Sequence, residues 1–325
     1  MTTSSGKHIL ALCGGVGGAK LAFGLSQVLP SDRLTLVVNT GDDFEHLGLP
    51  ICPDLDTVLY TLAGLNNRAQ GWGRADETWG VFSELGQLGA PDWFQLGDKD
   101  IALHLLRRHL LEQGNSLSEV MKQLSLSLGV QHGILPMSDD PVRTMLATDQ
   151  GELPFQEYFV ARRCTPRLTS IRFDGAAQAK PSPGFLARLS SPDLAAVILC
   201  PSNPFLSVDP ILSVPGIRDS LIGLNAPIVA VTPLIGGQAV KGPTAKICAE
   251  LGVPSSAHAV ADYYSDFLDG FVLDATDAEL VGQIEGQMAV TTAQTLMKTD
   301  EDKKALARTV LDFAQTLNRT DEVTP

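Results

Sequence analysis

The run His8-Ile-Leu-Ala-Leu-Cys13 leads into Gly14-Gly-Val-Gly-Gly18 and then into helical spacing, and no other feature constrains the fold as tightly. A short run that is apolar on both alternating faces suits a strand covered by helices on either side, which is the setting of a parallel sheet. From Ala19 to Leu29 the apolar residues Leu21, Leu25 and Val28 keep helical spacing until Pro30 stops it. Leu34-Thr-Leu-Val-Val-Asn39 reads as a second buried strand, and Ala195–Cys200, Pro227–Thr232 and Phe271–Leu273 as later ones. Strands of this kind separated by helical stretches predict an α/β fold, a doubly wound, mostly parallel Rossmann-like sheet.

Between Asn66 and Ala187 the pattern changes. Tryptophans and glycines cluster around Gly71-Trp-Gly73, a helix is expected from Asp100 to Gln113, and strand-like pieces follow at Tyr158–Arg163 and Leu168–Phe173. The division expected is a Rossmann-like core from 1–65 and 188–325, with 66–187 as an inserted mixed, largely helical lobe. A last amphipathic helix is expected from Glu301 to Leu317, with Leu306, Val310, Phe313 and Leu317 on one face.

With 325 residues, 44% hydrophobic and 19% charged, the chain can bury a large core. A net charge of −13 with no basic patch argues against a nucleic-acid partner. The start lacks the basic and long apolar segments of a signal peptide, and no stretch approaches the roughly 20 apolar residues of a membrane helix. Five scattered cysteines without a C-x-x-C pair indicate neither a disulfide framework nor a zinc site, so a cytoplasmic location and no membrane partner are expected. Cys13 and Cys200 end apolar strands and read as small core residues.

The chemistry is written at the ends of the first two strands. The glycine segment is not a Walker A loop, because Leu21 follows Lys20 where Ser or Thr is required. It also misses the dinucleotide fingerprint, since Lys20 stands where the third glycine belongs and Asn39 rather than an acid ends the second strand. Gly14, Gly15, Gly17 and Gly18 could still offer backbone N–H groups to phosphate, or serve only a tight turn. Asn39-Thr-Gly-Asp-Asp43 and Pro53-Asp-Leu-Asp-Thr57 bring four carboxylates, Asp42, Asp43, Asp54 and Asp56, to the same edge. One or two would suit turn or N-cap roles, with Asp54 at the cap position of the next helix. Four together would repel phosphate and one another unless a divalent cation intervened, so Mg2+ is the expected cofactor, with Asp43 and Asp56 the first choices as ligands. One of those two could also accept a proton. Lys20, Asn39, Ser202, Asn203 and Lys241 are the further candidates for holding phosphate. Gly97-Asp-Lys-Asp100 reads equally as a turn with a helix cap, and Arg143 equally as an anion contact or an internal ion pair. His46, His104, His109, His132 and His258 lie in no metal-ligand spacing, and Arg107 and Arg108 read as the charged face of a packed helix.

Cys13-Gly-Gly-Val-Gly-Gly-Ala-Lys20, Val38–Asp43, Pro53–Tyr60, Leu96–Asp100, Leu135–Pro141, Phe155-Gln156, Pro201–Pro204 and Ala261–Tyr264 together resemble the 2-phospho-L-lactate transferase family of coenzyme F-420 biosynthesis, over nearly the whole length. The resemblance implies magnesium-dependent transfer of a phosphorylated three-carbon acid from a guanosine diphosphate-linked donor to the ribitol hydroxyl of the deazaflavin Fo, with GMP released. The acid could be 2-phospho-L-lactate, phosphoenolpyruvate or phosphoglycerate. It further implies that Asp56 and Lys99 contact Fo, lysine standing where the family usually has arginine and so losing the planar fork. The partners expected are these two small molecules and a second copy of the chain in a homodimer. Trp72, Trp79, Trp93 and Phe94 offer either a wall for the planar deazaflavin or ordinary core packing. The alternative is a non-catalytic nucleotide-sugar-binding regulator of the related glycine-loop family.

Overall fold

The structure is a computed structural model that describes residues 7–239 and 243–317. Its centre is a seven-stranded sheet of His8–Cys13 (β1), Leu34–Val38 (β2), Gly133–Pro136 (β3), Leu194–Leu199 (β4), Ile228–Val231 (β5), Gly270–Asp274 (β6) and Ala289–Ala293 (β7). The spatial order is β7-β6-β5-β4-β1-β2-β3, and every neighbouring pair is parallel. All residues of β1, β2, β5 and β6 are buried, as continuous apolar runs require. The chain runs outward from β1 through β2 to β3, then crosses back to β4 and proceeds the other way. The strand order therefore reverses between β1 and β4, where Leu12 lies between Val37 and Leu199. In sheets of this kind a crevice opens at the carboxyl ends of those two strands.

One face is covered by helices Gly15–Val28, Pro53–Leu62 and Asp300–Thr316, whose Leu21, Leu25, Val58, Leu59, Leu306 and Val310 share one core with β1 and β2. The first and last of these helices approach closely because Gly24 has no side chain: a Cβ there would meet the Lys303 backbone carbonyl. The opposite face buries Phe185, Ile211, Leu221, Phe267 and Phe271. Thr299 begins the last helix with a reciprocal capping box to Asp302.

Four expectations change. The first helix starts at Gly15 rather than Ala19, so the glycines form its opening turn instead of a loop before it. Helix Pro53–Leu62 is preceded by Cys52, with no side-chain cap, and Asp54 lies inside the first turn. The stretch 66–187 is not a lobe apart, because Gly133–Pro136 is an edge strand of the main sheet and Leu103, Leu110, Val120, Met121 and Leu124 join its core. That four-residue strand ends in proline and carries no periodic signal long enough to be read. What does stand off the main sheet is an antiparallel one, ordered Gly151–Pro154, Arg143–Thr148, Leu168–Asp174. Beside it Glu157–Ala161 forms a π-helical turn where Tyr158–Arg163 had suggested a strand. Among the described residues no helix is long and apolar enough to cross a membrane.

Candidate functional site

A cavity of about 760 Å³ opens over the carboxyl ends of β1 and β4. Its floor is the start of the first helix, Gly14, Gly15 and Gly17, together with Pro201 and Ser202 from the turn after β4. These glycines are demanded by close approach: a Cβ on Gly14 would lie 2.5 Å from Asp54 Oδ2, and one on Gly17 would strike the Pro201 carbonyl. Gly15 adopts φ +64°, which costs glycine little. The Ser202 hydroxyl accepts from Gly14 N–H at 3.1 Å and donates to the Gly14 carbonyl at 2.9 Å, tying the two turns together. Gly18 lies outside the cavity lining and leaves room for Ser202 Oγ and Cys13.

Asn39 organises the acidic side. Fully buried at the end of β2, its amide donates to Asp42 Oδ1 and to Asp54 Oδ2, each at 3.0 Å, and to the Leu206 carbonyl at 3.2 Å. Its carbonyl oxygen accepts from Gly41 N–H at 2.7 Å. Asp54 Oδ1 accepts from Gly15 N–H at 2.7 Å, and Gln156 Nε2 reaches Asp42 Oδ2 at 3.3 Å. Asp42 and Asp54 thus line the cavity as a joined pair, whereas Asn39 supports them from behind. Burial pushes the Asp54 carboxyl up to about 6 against the downward pull of Asn39 and Gly15. Burial raises Asp42 well above the usual carboxylate range, and the charges of Asp54 and Asp43 raise it further.

Asp43 and Asp56 are elsewhere. Asp43 lines neither the large cavity nor the side chamber beside it, its Oδ1 is buried without a hydrogen-bond partner among the described residues, and burial lifts its pKa to about 7 against the influence of Arg143. Asp56 forms a two-pronged ion pair with the fully buried Arg107, whose NH1 lies 3.1 Å from Asp56 Oδ2 and 3.1 Å from His104 Nδ1. It faces a small side chamber of about 80 Å³, bounded also by Tyr60, Asp100 and His104 and sharing Pro53, Thr57, Trp72, Phe94 and Gln95 with the large cavity. The four carboxylates therefore do not form one ligand set, and among the described residues no three His, Cys, Asp or Glu side chains are grouped to hold a metal ion. Mg2+ commonly takes one or two carboxylates and completes its shell with water and substrate phosphate oxygens, and the Asp42–Asp54 pair fits that mode.

The remaining expected residues divide. Lys20 Nζ donates to the Met297 carbonyl at 3.0 Å on the cavity wall. Asn203 lines the cavity while its side chain caps Phe205 and Leu206 and donates to Thr244 Oγ1 at 2.9 Å. Lys99 touches neither chamber: its ammonium donates to the Asp76 carbonyl. Lys241 lies outside the described residues. Arg143 is not on the cavity wall, and its NH1 donates to the Val142 carbonyl. Trp72, Trp93 and Phe94 form one cavity wall, with Trp93 and Phe94 set edge-on to the His46 ring, while Trp79 packs on Phe82 at the surface.

Sequence reasoning missed Arg107, Gln156 and Ser207. Arg107 had a signal, since it falls in the apolar stripe Leu103, Leu110 of its helix, where an unpaired charge cannot stay. Gln156 stands in the Phe155-Gln156 pair of the resemblance but carried no role. Ser207, which lines the cavity from inside the π-helical turn Pro204–Val208, had no signal because such a turn breaks the usual side-chain spacing.

A family model, 2-phospho-L-lactate transferase CofD, matches residues 9–312. A phosphoenolpyruvate transferase of Kitasatospora aureofaciens is 42% identical over 316 residues, spanning 95% of this chain and 98% of its own. A 2-phospho-L-lactate transferase of Methanosarcina mazei is 38% identical over 305 residues, spanning 93% of this chain and 99% of its own. A crystal structure of a UPF0052 family protein from Bacillus halodurans superposes with a TM-score of 0.59 at 14% identity, covering 94% of this chain and 99% of that one, a likeness of fold alone.

Proposed function

The chain belongs to the 2-phospho-L-lactate transferase CofD family, and from that premise we propose that it moves a phosphorylated three-carbon acid from a guanosine diphosphate-linked donor to the ribitol hydroxyl of Fo, releasing GMP. The observation that carries this reading is the Asp42–Asp54 pair, bound together by Asn39 over the glycine turn at the reversal of strand order. Phosphoenolpyruvate is the acid we favour, because the phosphoenolpyruvate transferase compared above shares 42% of positions and the 2-phospho-L-lactate transferase 38%.

In this reading the donor's diphosphate lies over the first turn of helix Gly15–Val28, whose opening amides have no acceptor within the helix and whose dipole favours negative charge. Ser202 holds that turn to the strand beside it, so the amides are aimed before the ligand arrives. Asp42 and Asp54 would hold Mg2+, which when bound supplies charge neutralisation at the phosphates. The Trp72, Trp93 and Phe94 wall receives the deazaflavin ring, and Asp56, fixed by Arg107, accepts hydrogen bonds from the acceptor at the mouth of the side chamber. The ribitol hydroxyl attacks the phosphorus bearing the acid, its proton passes to a carboxylate of the cavity, and the bond to GMP breaks. No covalent link to the protein is needed.

Incubation of the purified protein with Fo, Mg2+ and each of three guanosine donors tests this. GMP release with a new phosphodiester on Fo is expected, fastest with the phosphoenolpyruvyl donor. Nucleotide-sugar binding without turnover of any donor would favour the regulator instead.

A further inference from the structure

The large cavity has only two lysine or arginine side chains on its wall among the described residues, Lys20 and Arg163, against the carboxylates Asp42 and Asp54. Lys20 is committed to the Met297 carbonyl, beyond the end of β7. Arg163 stands on the other side, in the segment that carries Gln156 against Asp42. Its neighbours are paired: Arg162 with Glu157, and Arg172 with Glu152 and Asp174. The Arg163 guanidinium has no hydrogen bond or ion pair among the described residues.

The backbone that presents it is strained. Arg163 and Cys164 are consecutive non-glycine residues in the left-handed region, at φ +50° and +55°. Such a pair persists only where its surroundings impose it. They do so here: Cys164 N–H bonds the Tyr158 carbonyl at 2.9 Å, Thr165 N–H bonds the Arg162 carbonyl at 2.9 Å, and Tyr158 is itself held by Lys246 at 2.9 Å. Phe155 and Phe159, stacked at 5.4 Å and 18°, brace the same turn against the cavity. A tight turn with glycine would have been cheaper, so the arginine side chain is what the strain retains.

We propose that Arg163 grips the carboxylate of the three-carbon acid and so selects donors that carry one. This rests on the transferase reading. The acid is joined to the phosphorus under attack, beside Asp42, and Gln156 ties the Arg163 segment to that carboxylate. Two anionic oxygens on one carbon match the planar guanidinium fork, and an acceptor or nucleobase offers no such group.

The test is calorimetric binding of GDP and of the guanosine diphosphate-linked phosphoenolpyruvyl donor to the full chain and to Arg163→Gln, Arg163→Lys and Arg163→Gly. The wild type should bind the donor more tightly than GDP. Arg163→Gln should weaken the donor roughly 10- to 100-fold while leaving GDP within about twofold, and Arg163→Lys should recover part of the loss. Arg163→Gly should melt no lower than the wild type, because it relieves the left-handed strain, and yet lose the same preference. Equal weakening of GDP and donor, or an unchanged preference in Arg163→Gln, overturns the assignment while leaving the transferase intact. A wild type that binds neither ligand overturns the transferase reading and this one with it.

Discussion

Asp54 and Asp56 sit on one helical turn and meet opposite surroundings. Two residues apart on an α-helix is about 200° around its axis, so one carboxylate enters the cavity while the other turns toward Arg107. The sequence grouped them by distance along the chain, which is why the acidic cluster was legible and its division was not. Asp42 and Asp43 divide inside a turn: Asp42 joins Asn39 on the cavity side, while Asp43 N–H closes the turn onto the Thr40 carbonyl and its carboxyl is buried away from the cavity. Asp54→Asn should lower kcat/KM by roughly 10²- to 10⁴-fold, with the melting temperature at pH 8 little changed, since a buried carboxylate is removed and Gly15 N–H keeps an oxygen acceptor while the bond from the Asn39 amide is lost. Retention of near-normal turnover would remove Asp54 from the site. Arg107→Met strands the Asp56 carboxylate in the interior and should cost roughly 3–5 kcal/mol in denaturant unfolding. Adding Asp56→Leu should return most of that stability but no activity, which separates the ion pair's structural cost from its use.

Helices and strands with long apolar signals were readable, and those defined by contact alone were not. β1, β2, β4, β5 and β6 announced themselves as continuous runs, whereas β3 is recognisable only because Leu36 and Ile134 lie side by side. The glycine segment lies at the sheet edge, as its place after an apolar strand predicts, but as the first turn of a helix and not a loop, because glycine's low helix propensity hides an opening turn that needs small residues for approach. Helix-to-helix distance is set in the same way at Gly24. Gly24→Ala places a methyl group against the Lys303 carbonyl, which belongs to rigid backbone and cannot turn aside. The last helix must shift, and a loss of roughly 1–3 kcal/mol is expected in urea unfolding, with an unchanged m-value if the native state stays compact. No loss would mean that the two helices are not held at this separation.

Across the whole molecule, burial lifts several carboxyl groups: Asp43 to about 7, and Asp54, Asp100 and Asp209 to about 6. Each holds its proton longer in the folded chain than in the unfolded one. Through these carboxyls the folded state binds more protons between pH 4 and 7, so they make stability fall as pH rises through that window. His104, which burial lowers to about 4, and His8 and His46, lowered likewise, oppose them below pH 6.5, and the fall is steepest between pH 6 and 7. The unfolding free energy of the metal-free protein, read from urea titrations, should be higher at pH 5 than at pH 8, by an amount on the order of a few kcal/mol. Added Mg2+ should raise the pH 8 midpoint more than the pH 5 one, as the Asp42–Asp54 pair ionises to receive it; a midpoint that rises with pH instead would contradict the burial of these groups. The strand order has a different consequence. β1 pairs with β2 soon after it in the chain, but its other edge waits for Leu194–Leu199. During synthesis the first strand to leave the ribosome thus keeps a naked hydrogen-bonding edge while more than half of the protein is still being made, and a nascent chain halted before Leu194 is the species a chaperone should be found holding.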